Sequence, residues 1–530
     1  MAKNVSLQVL ELPGTSDSSS LNSSVTRIPS GPHDSRTELR APDTPNTLVQ
    51  EFSNSSDPEN PAAGHGWTET SEDDQYKRFS TPRKLLIVAT LSFCALLAPI
   101  SSTAILAAVP ELAKTYQTTP EVINASTALY LASMGAAALF WGPLSQVYGR
   151  RPVFISSSIL FFAFTIATTL SPNLATYFLF RALTAFQGTS FLVVGNSVIG
   201  DIYEPQVRAT ALGWILSGSM VGPAFGPFLG GVVITFRPWR TIFWLLTAMA
   251  GVAALAIIFI VPETIPFKSN GEFIGQSLPK QTRALWRRIS PVRVITLNCG
   301  YPNLFLTGLA TGALVWCQYA LLTPIRPILN PRFHLTTPIQ AGLFYLAPGC
   351  GYLVGNLIGG RWADHVVRKY ITRRNGIRIP EDRLRSCLVP ICVLTPGSIL
   401  VYGWTLDQDV GGIPAPVVAM FVQGVAQLLC LPSLNTYCLD VMHSNGRSAE
   451  VVAGSYVFRY VFAALGTGVA LPGIQTLGVG WFNTISALFL LVCGGTVWLT
   501  AIYGARWREA VEWKYEQRST RRKEAALGIN

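Results

Sequence analysis

Apolar and polar positions along this chain fall into long blocks rather than into the short alternations of a water-soluble fold. From residue 85 onward, apolar runs of about 20 residues, the length that crosses a ~30 Å hydrocarbon core, follow one another with short polar breaks. Six lie near 85–108, 124–146, 153–171, 175–200, 209–235 and 239–261. A second six lie near 302–325, 339–360, 386–405, 413–439, 450–471 and 479–503. The two sets are separated by a polar stretch over 263–298 that holds Lys268, Lys280, Arg283, Arg287, Arg288 and Arg293. Residues 1–80 show the opposite pattern, with many Ser, Thr, Pro and acidic residues and no apolar core. That segment cannot bury enough surface to fold, and it reads as a disordered tail and not as a signal peptide. The fold class expected is all-α integral membrane, with twelve transmembrane helices in two pseudo-symmetric six-helix bundles, 81–262 and 299–505. A cytoplasmic linker, 263–298, joins the bundles, and a basic tail, 506–530, follows them.

Composition agrees: 49% of residues are apolar and 13% are charged, about half the charged share of a soluble domain. The formal net charge of +11 is unevenly placed. Residues 1–76 carry four basic side chains against twelve acidic ones, so the remainder is more basic than the total suggests. Those basic residues interrupt apolar runs instead of forming one patch, which argues against nucleic-acid binding and for a topology signal. Arg83 and Lys84, Arg150 and Arg151, the 263–298 stretch, 361–385 and 506–523 all fall on one side, with Arg237 and Arg240 as the main exceptions. The bias predicts both termini in the cytoplasm. The expected membrane is the plasma membrane, with a vacuolar or other internal membrane as the alternative. The sequon at Asn124 then falls at the outer edge of the second span, too near the bilayer to carry a glycan, and those at Asn4, Asn22 and Asn54 fall in the cytoplasmic tail. Nine scattered cysteines show neither CxxC nor Cys/His metal spacing and read as packed thiols. No nucleophile arrangement, metal cluster or phosphate loop is present, so neither an enzyme nor a cofactor is expected.

The halves repeat. Gly142, Gln146, Gly149, Arg150 and Arg151 follow the second span, and Gly360, Asp364, Arg368 and Lys369 follow the eighth at matching spacing. Asn196 and Asp201, with Arg208 seven residues on, match Asn435 and Asp440, with Arg447 seven residues on. Parallel repeats of this type place a substrate site between the halves near mid-membrane.

The stretch 142–152 resembles the loop 2–3 signature of the major facilitator superfamily, G-x-L-x-D-x-x-G-R-R/K. The resemblance covers 80–505 and implies two six-helix bundles around a central cavity. It also implies that the glycine lets two helices approach while the charged members hold one conformation. Gln146 stands where the signature has an acid, whereas Asp364 keeps the carboxylate in the second copy. The conformational set so implied is Gly142, Gln146, Gly149, Arg150, Arg151, Asp201, Asp364, Arg368 and Asp440. In the fifth run, Gly218, Gly222, Pro223, Gly226, Pro227, Gly230 and Gly231 form a row of small residues with two prolines. Small residues every fourth position allow tight helix contact, and prolines remove backbone donors. The row resembles the antiporter motif of proton-driven drug exporters. Pro262-Glu263-Thr264 occurs in several branches and discriminates little. The basic stretch 368–385, residues 344–349 and the run 423–440 resemble fungal twelve-spanner drug:proton antiporters of the dityrosine and quinidine-resistance type.

Polar residues inside the apolar runs are costly, and an arginine at mid-membrane costs about 2.5–3.5 kcal/mol. Arg181 in the fourth run, with Gln187 six residues on, matches the superfamily's R-x(5)-Q-G pattern, whose arginine is linked to proton coupling. Snorkelling to the outer interface is the other reading of Arg181. Gln318, Asn356, Gln423, Gln427 and Arg459 join Asn196 as candidates for the cavity, although amides serve neighbouring helices as readily as substrate. No carboxylate lies well inside a run, which leaves the proton carrier open between Asp201, Asp440 and the substrate itself. The function expected is export of a small organic molecule (a drug, organic acid or secondary metabolite) by proton antiport. A symporter or uniporter that imports a metabolite is the alternative, and a transporter-like receptor is a third. The partners expected are the small-molecule substrate, protons and membrane lipid, with the chain acting as a monomer.

Overall fold

The computed structural model describes residues 78–203, 208–264, 290–376, 379–442 and 448–526. The acidic tail with its three sequons, most of the 263–298 stretch and Arg447 lie outside the described residues. Among the described residues, twelve helices are long and apolar enough to cross a membrane, one for each predicted run. The first six are α1 (Thr81–Thr115), α2 (Pro120–Tyr148), α3 (Arg150–Thr169), α4 (Leu174–Ile202), α5 (Ala211–Phe236) and α6 (Arg240–Ile260). The second six are α7 (Pro302–Arg332), α8 (Pro338–Arg373), α9 (Asp382–Asp407), α10 (Pro414–Met442), α11 (Glu450–Leu477) and α12 (Val479–Lys514).

The predicted spans stop short of several helix ends. α8 runs thirteen residues past 360, and the α12 helix continues to Ala526. Hydropathy locates where lipid ends, whereas a helix continues into water for as long as its residues favour it. The short helix Pro291–Gly300 precedes α7, and its Arg293 bonds Glu450 at the start of α11 at 3.0 Å.

Helix packing repeats under exchange of each helix for the one six places later. α1 packs on α5 as α7 packs on α11. α2 on α4 corresponds to α8 on α10, and α3 on α6 to α9 on α12. Across the halves, α2 lies on α11 and α5 lies on α8. One face collects Arg83, Arg150, Arg151, Arg368 and Arg383, and is called the basic face below. The opposite face holds the α1–α2, α5–α6, α7–α8 and α11–α12 turns.

The α5 glycine row explains the closeness of α1 and α5. A methyl group at Gly218 would meet the Ser92 carbonyl at 2.5 Å, and one at Gly222 would meet Pro99 at 2.7 Å. At Gly226 it would meet Thr103 Oγ1 at 2.5 Å and the Ala104 nitrogen at 2.9 Å, and at Gly230 it would strike the Ala104 carbonyl. Gly231 turns the other way, toward the Pro338 carbonyl at the start of α8. The row thus lays backbone on backbone, the arrangement in which dispersion contacts are densest. α1 itself changes character beside it. Pro99 lies inside the helix, Ser102 and Thr103 hydroxyls bond back to the Pro99 carbonyl, and residues Ala104–Ala108 form a 3-10 turn.

Candidate substrate cavity and charge clusters

A small cavity of about 20 Å³, room for one water, lies between the halves. It is built by α1, α5, α7 and α11, the four helices related pairwise by the repeat, and Pro99, Met220, Gln318, Tyr319, Arg459 and Tyr460 line it. Pro223 of the glycine row and Ser219 complete the α5 wall.

The two arginines predicted inside the spans differ in surroundings. Arg181 is 1% exposed and does not snorkel. Its guanidinium donates to the carbonyls of Ser101 (3.3 Å) and Ser102 (3.2 Å), where α1 passes into its 3-10 turn. The rings of Tyr130, Tyr177 and Phe243 surround it at 4.9, 5.7 and 5.9 Å. Backbone dipoles and ring faces therefore offset the cost of burying this charge. Arg459 is also buried, yet its Nη2 reaches only the Met220 sulfur at 3.6 Å, and its guanidinium lies 5.1 Å from the Tyr456 ring. A thioether is a weak acceptor.

Three of the predicted amides form one chain. Gln423 Nε2 donates to Gln427 Oε1 (2.9 Å), and Gln427 Nε2 donates to Gln318 Oε1 (2.7 Å), which brings the chain to the cavity wall. Gln187 is buried outside the cavity, with its carboxamide oxygen unpartnered. Asn196 and Asn356 bridge the halves instead. Asn196 Nδ2 donates to Tyr456 on α11 at 2.9 Å, and Asn356 Nδ2 donates to Ser217 on α5. Asn124, the fifth residue of α2, is buried, and no glycan fits there.

At the basic face, the predicted conformational residues divide. Gly149 joins α2 to α3 at φ 97°, a conformation that favours glycine. Arg150 then donates through Nε to Asp201 (3.2 Å) and through Nη1 to Ser145 (2.6 Å), while its backbone N–H bonds Glu263 (2.9 Å). Thr264 also bonds Asp201, at 2.8 Å. Nothing in the sequence marks Ser145, Glu263 and Thr264 for this cluster, since the Pro-Glu-Thr tripeptide discriminates little between branches. Gln146 is exposed, so Ser145 rather than the amide faces Arg150. Arg151 is exposed and bonds the Ile258 carbonyl at 3.0 Å. Gly142 is buried, but a methyl there would meet only Val193 at an ordinary 3.6 Å, so no close helix approach depends on it.

In the second half Asp440 pairs with Arg383, at 3.1 Å, in the first turn of α9. Arg368 and Asp364 are exposed on α8. The counterpart of Arg150 is therefore displaced fifteen residues from the position that gapless matching suggests, because α8 outlasts α2 at its basic end. The basic stretch 368–385 is more than a solvated surface. Asp382 is fully buried, bonds Arg374 at 2.5 Å and lies 3.6 Å from Arg385, and Glu381 pairs with Arg508 of α12 at 3.5 Å.

These clusters tie helices within each half. Among the described residues, the ion pair that crosses between halves is at the opposite face, where Arg326 of α7 grips Glu111 of α1 through two bonds of 2.6 and 2.7 Å. Arg326 also donates to the Ala107 carbonyl, and Gln475 Nε2 of α11 reaches Glu121 of α2 at 3.4 Å. Neither Glu111 nor Arg326 stood out in the sequence, since each sits at a span end where a charge costs little.

Known proteins of the same architecture match this geometry. The human organic anion transporter MFSD10 (TETRAN) superposes with a TM-score of 0.60 at 17% identity, over 78% of this chain and 99% of that one. At 25% identity the chain is similar to the MFS antiporter QDR3 of Candida albicans (80% of this chain, 78% of that protein). It is equally similar to Citrate exporter 1 of Aspergillus niger (84% and 90%). The efflux pump radE of Floropilus chiversii is 26% identical over 79% of this chain and 80% of its own. Residues 91–467 match the family profile as a whole, and the chain belongs to the Major Facilitator Superfamily.

Proposed function

We propose that this transporter exports a small organic molecule across the plasma membrane by proton antiport, acting as a monomer with its basic face in the cytoplasm. The observation that carries the reading is the α5 row, whose glycines lie on the α1 backbone while Pro223 reaches the cavity. A helix pair packed without intervening side chains transmits a tilt of one helix to the other without repacking, which suits a half that rocks as a body around a central site. Relatives named as an antiporter, an efflux pump and an exporter support the direction.

In this reading Asn196–Tyr456 and Asn356–Ser217 part when the cavity opens to the cytoplasm, and Arg326–Glu111 parts when it opens outward. The clusters around Arg150 and Arg383 keep each half rigid throughout, and their basic surroundings meet anionic lipid headgroups. Glu111 is about one-third exposed and joins Asp201 and Asp440 as a candidate proton carrier.

The test is transport in proteoliposomes with an imposed pH gradient and a metabolite panel. Extrusion against the substrate gradient, abolished when the pH gradient is collapsed, is the expected result. Transport indifferent to the pH gradient would overturn antiport.

A further inference from the structure

We infer that the central cavity is an organic-anion site in which Arg459 holds a carboxylate, an inference that rests on the exporter reading and names its substrate class. Arg459 is buried to 4% exposure, lines the cavity, and among the described residues has no ion-pair partner. Its hydrogen-bond acceptor is the Met220 sulfur. A guanidinium is never deprotonated in a protein, so its charge is present in every state of the cycle.

The rest of the wall matches that charge. Its polar members are the Gln318 amide and the hydroxyls of Ser219, Tyr319 and Tyr460, and no Asp or Glu is among them. The buried Gln318 nitrogen is unpartnered, because the chain from Gln423 and Gln427 ends on the Gln318 oxygen. Every polar side chain in the wall can donate a hydrogen bond, and the only fixed charge is positive. A cation would meet repulsion there with nothing to offset it. A neutral amide could accept one hydrogen bond through its carbonyl oxygen but would leave the charge uncompensated. A carboxylate matches the planar fork in two parallel bonds and leaves room for the spare amide donor.

Arg181 is excluded from this role, as its Nη1 and Nη2 bond the Ser101 and Ser102 carbonyls, three rings enclose it and it does not line the cavity. The single cation predicts a preference for one carboxylate. Val315, Pro99 and Pro223 in the same wall predict an apolar body attached to it. The cavity is far smaller than such a molecule, so binding requires the halves to part first.

The test uses purified full-length protein in nanodiscs. The probes are straight-chain monocarboxylates from acetate to decanoate, together with benzoate and cinnamate. Matched amides and benzylammonium serve as controls of equal shape and different charge. The readout is thermal protection without any pH gradient. At least one carboxylate is expected to protect where its amide and benzylammonium do not. Arg459→Gln is expected to weaken that protection roughly tenfold or more in affinity, and Arg459→Lys to restore part of it. Gln318→Glu keeps the bond to Gln427 and brings a carboxylate to Arg459, so it is expected to abolish protection in a protein that still folds. Equal protection by amides, protection by no carboxylate, or full protection in both Arg459→Gln and Gln318→Glu would overturn the anion site. The exporter reading is judged separately by gradient-driven flux. Carboxylate protection without such flux removes antiport alone. Driven flux of benzylammonium without carboxylate protection removes the anion site alone.

Discussion

The pairs α1–α5 and α7–α11 occupy equivalent places in the two halves, yet they are packed with different shares of backbone and ring. In the first, glycines of α5 admit the α1 backbone. In the second, one glycine of α11, Gly466, lies on the α7 backbone at Trp316, but two glycines of α7 receive rings of α11 instead: a methyl at Gly308 would meet Phe458 at 2.7 Å, and one at Gly312 would strike Phe462. Phe462 in turn stacks on Phe489 of α12 at 5.8 Å. Backbone-on-backbone contact leaves no side chain free to adjust, whereas an aromatic ring can rotate or shift within a looser groove. The first half is thus the stiffer of the two, and the second carries the adaptable wall, with Arg459 on the same helix as the rings.

The contrast breaks most visibly at Gly226. Gly226→Leu is expected to cost about 3 kcal/mol or more, since Thr103 and the Ala104 backbone cannot withdraw. Thermal unfolding of the purified variant checks it, and a midpoint within a few degrees of wild type would show that α1 and α5 can separate after all. Next come the buried arginines. Arg181→Ala is expected to lose about 2–3 kcal/mol, with two carbonyls and three rings left facing a void. Arg459→Ala is expected to lose about 1 kcal/mol or less in stability while losing transport. Chemical denaturation of both variants beside flux measurements separates scaffold from site, and equal destabilisation would erase the distinction drawn between them. Phe462→Leu should cost about 1 kcal/mol, because a smaller apolar chain still fills the Gly312 groove. A loss as large as that of Gly226→Leu would make the halves equally stiff. The smallest effect belongs to Gly142→Ala, within about 0.5 kcal/mol and with transport kept, given only an ordinary contact with Val193. Loss of flux there would restore the close-approach role that the signature implied.

The sequence foretells the twelve spans because lipid imposes a length and a polarity that no other residue pattern imitates. It also marks Arg181, Arg459 and the amides as costly, but it cannot say what each meets. Asn356 and Gln427 give the same signal in their spans, yet one bridges the halves and the other props a cavity residue. The Arg150 cluster was half legible, since Asp201 repeats as Asp440. Ser145 and Glu263 were not, because they come together only when α2, α3 and α6 end at one level. Arg383 was hidden by a length difference between the halves, which gapless comparison converts into the wrong residue.

The grip of Arg326 on Glu111 has a consequence for where control of the cycle resides. Its two ends lie 215 residues apart in the chain and on opposite sides of the route out. With the basic face inward, as proposed, they face the outer medium at 34% exposure for Glu111 and 11% for Arg326. Dissolved salt weakens such a part-buried pair by screening, though less than an exposed one, and it acts still less on the uncharged amide bridges at the other end. In the proposed orientation and direction of transport, the ionic strength of the surroundings therefore acts more on one door than on the other, and a saltier medium favours the open exit over the open entrance.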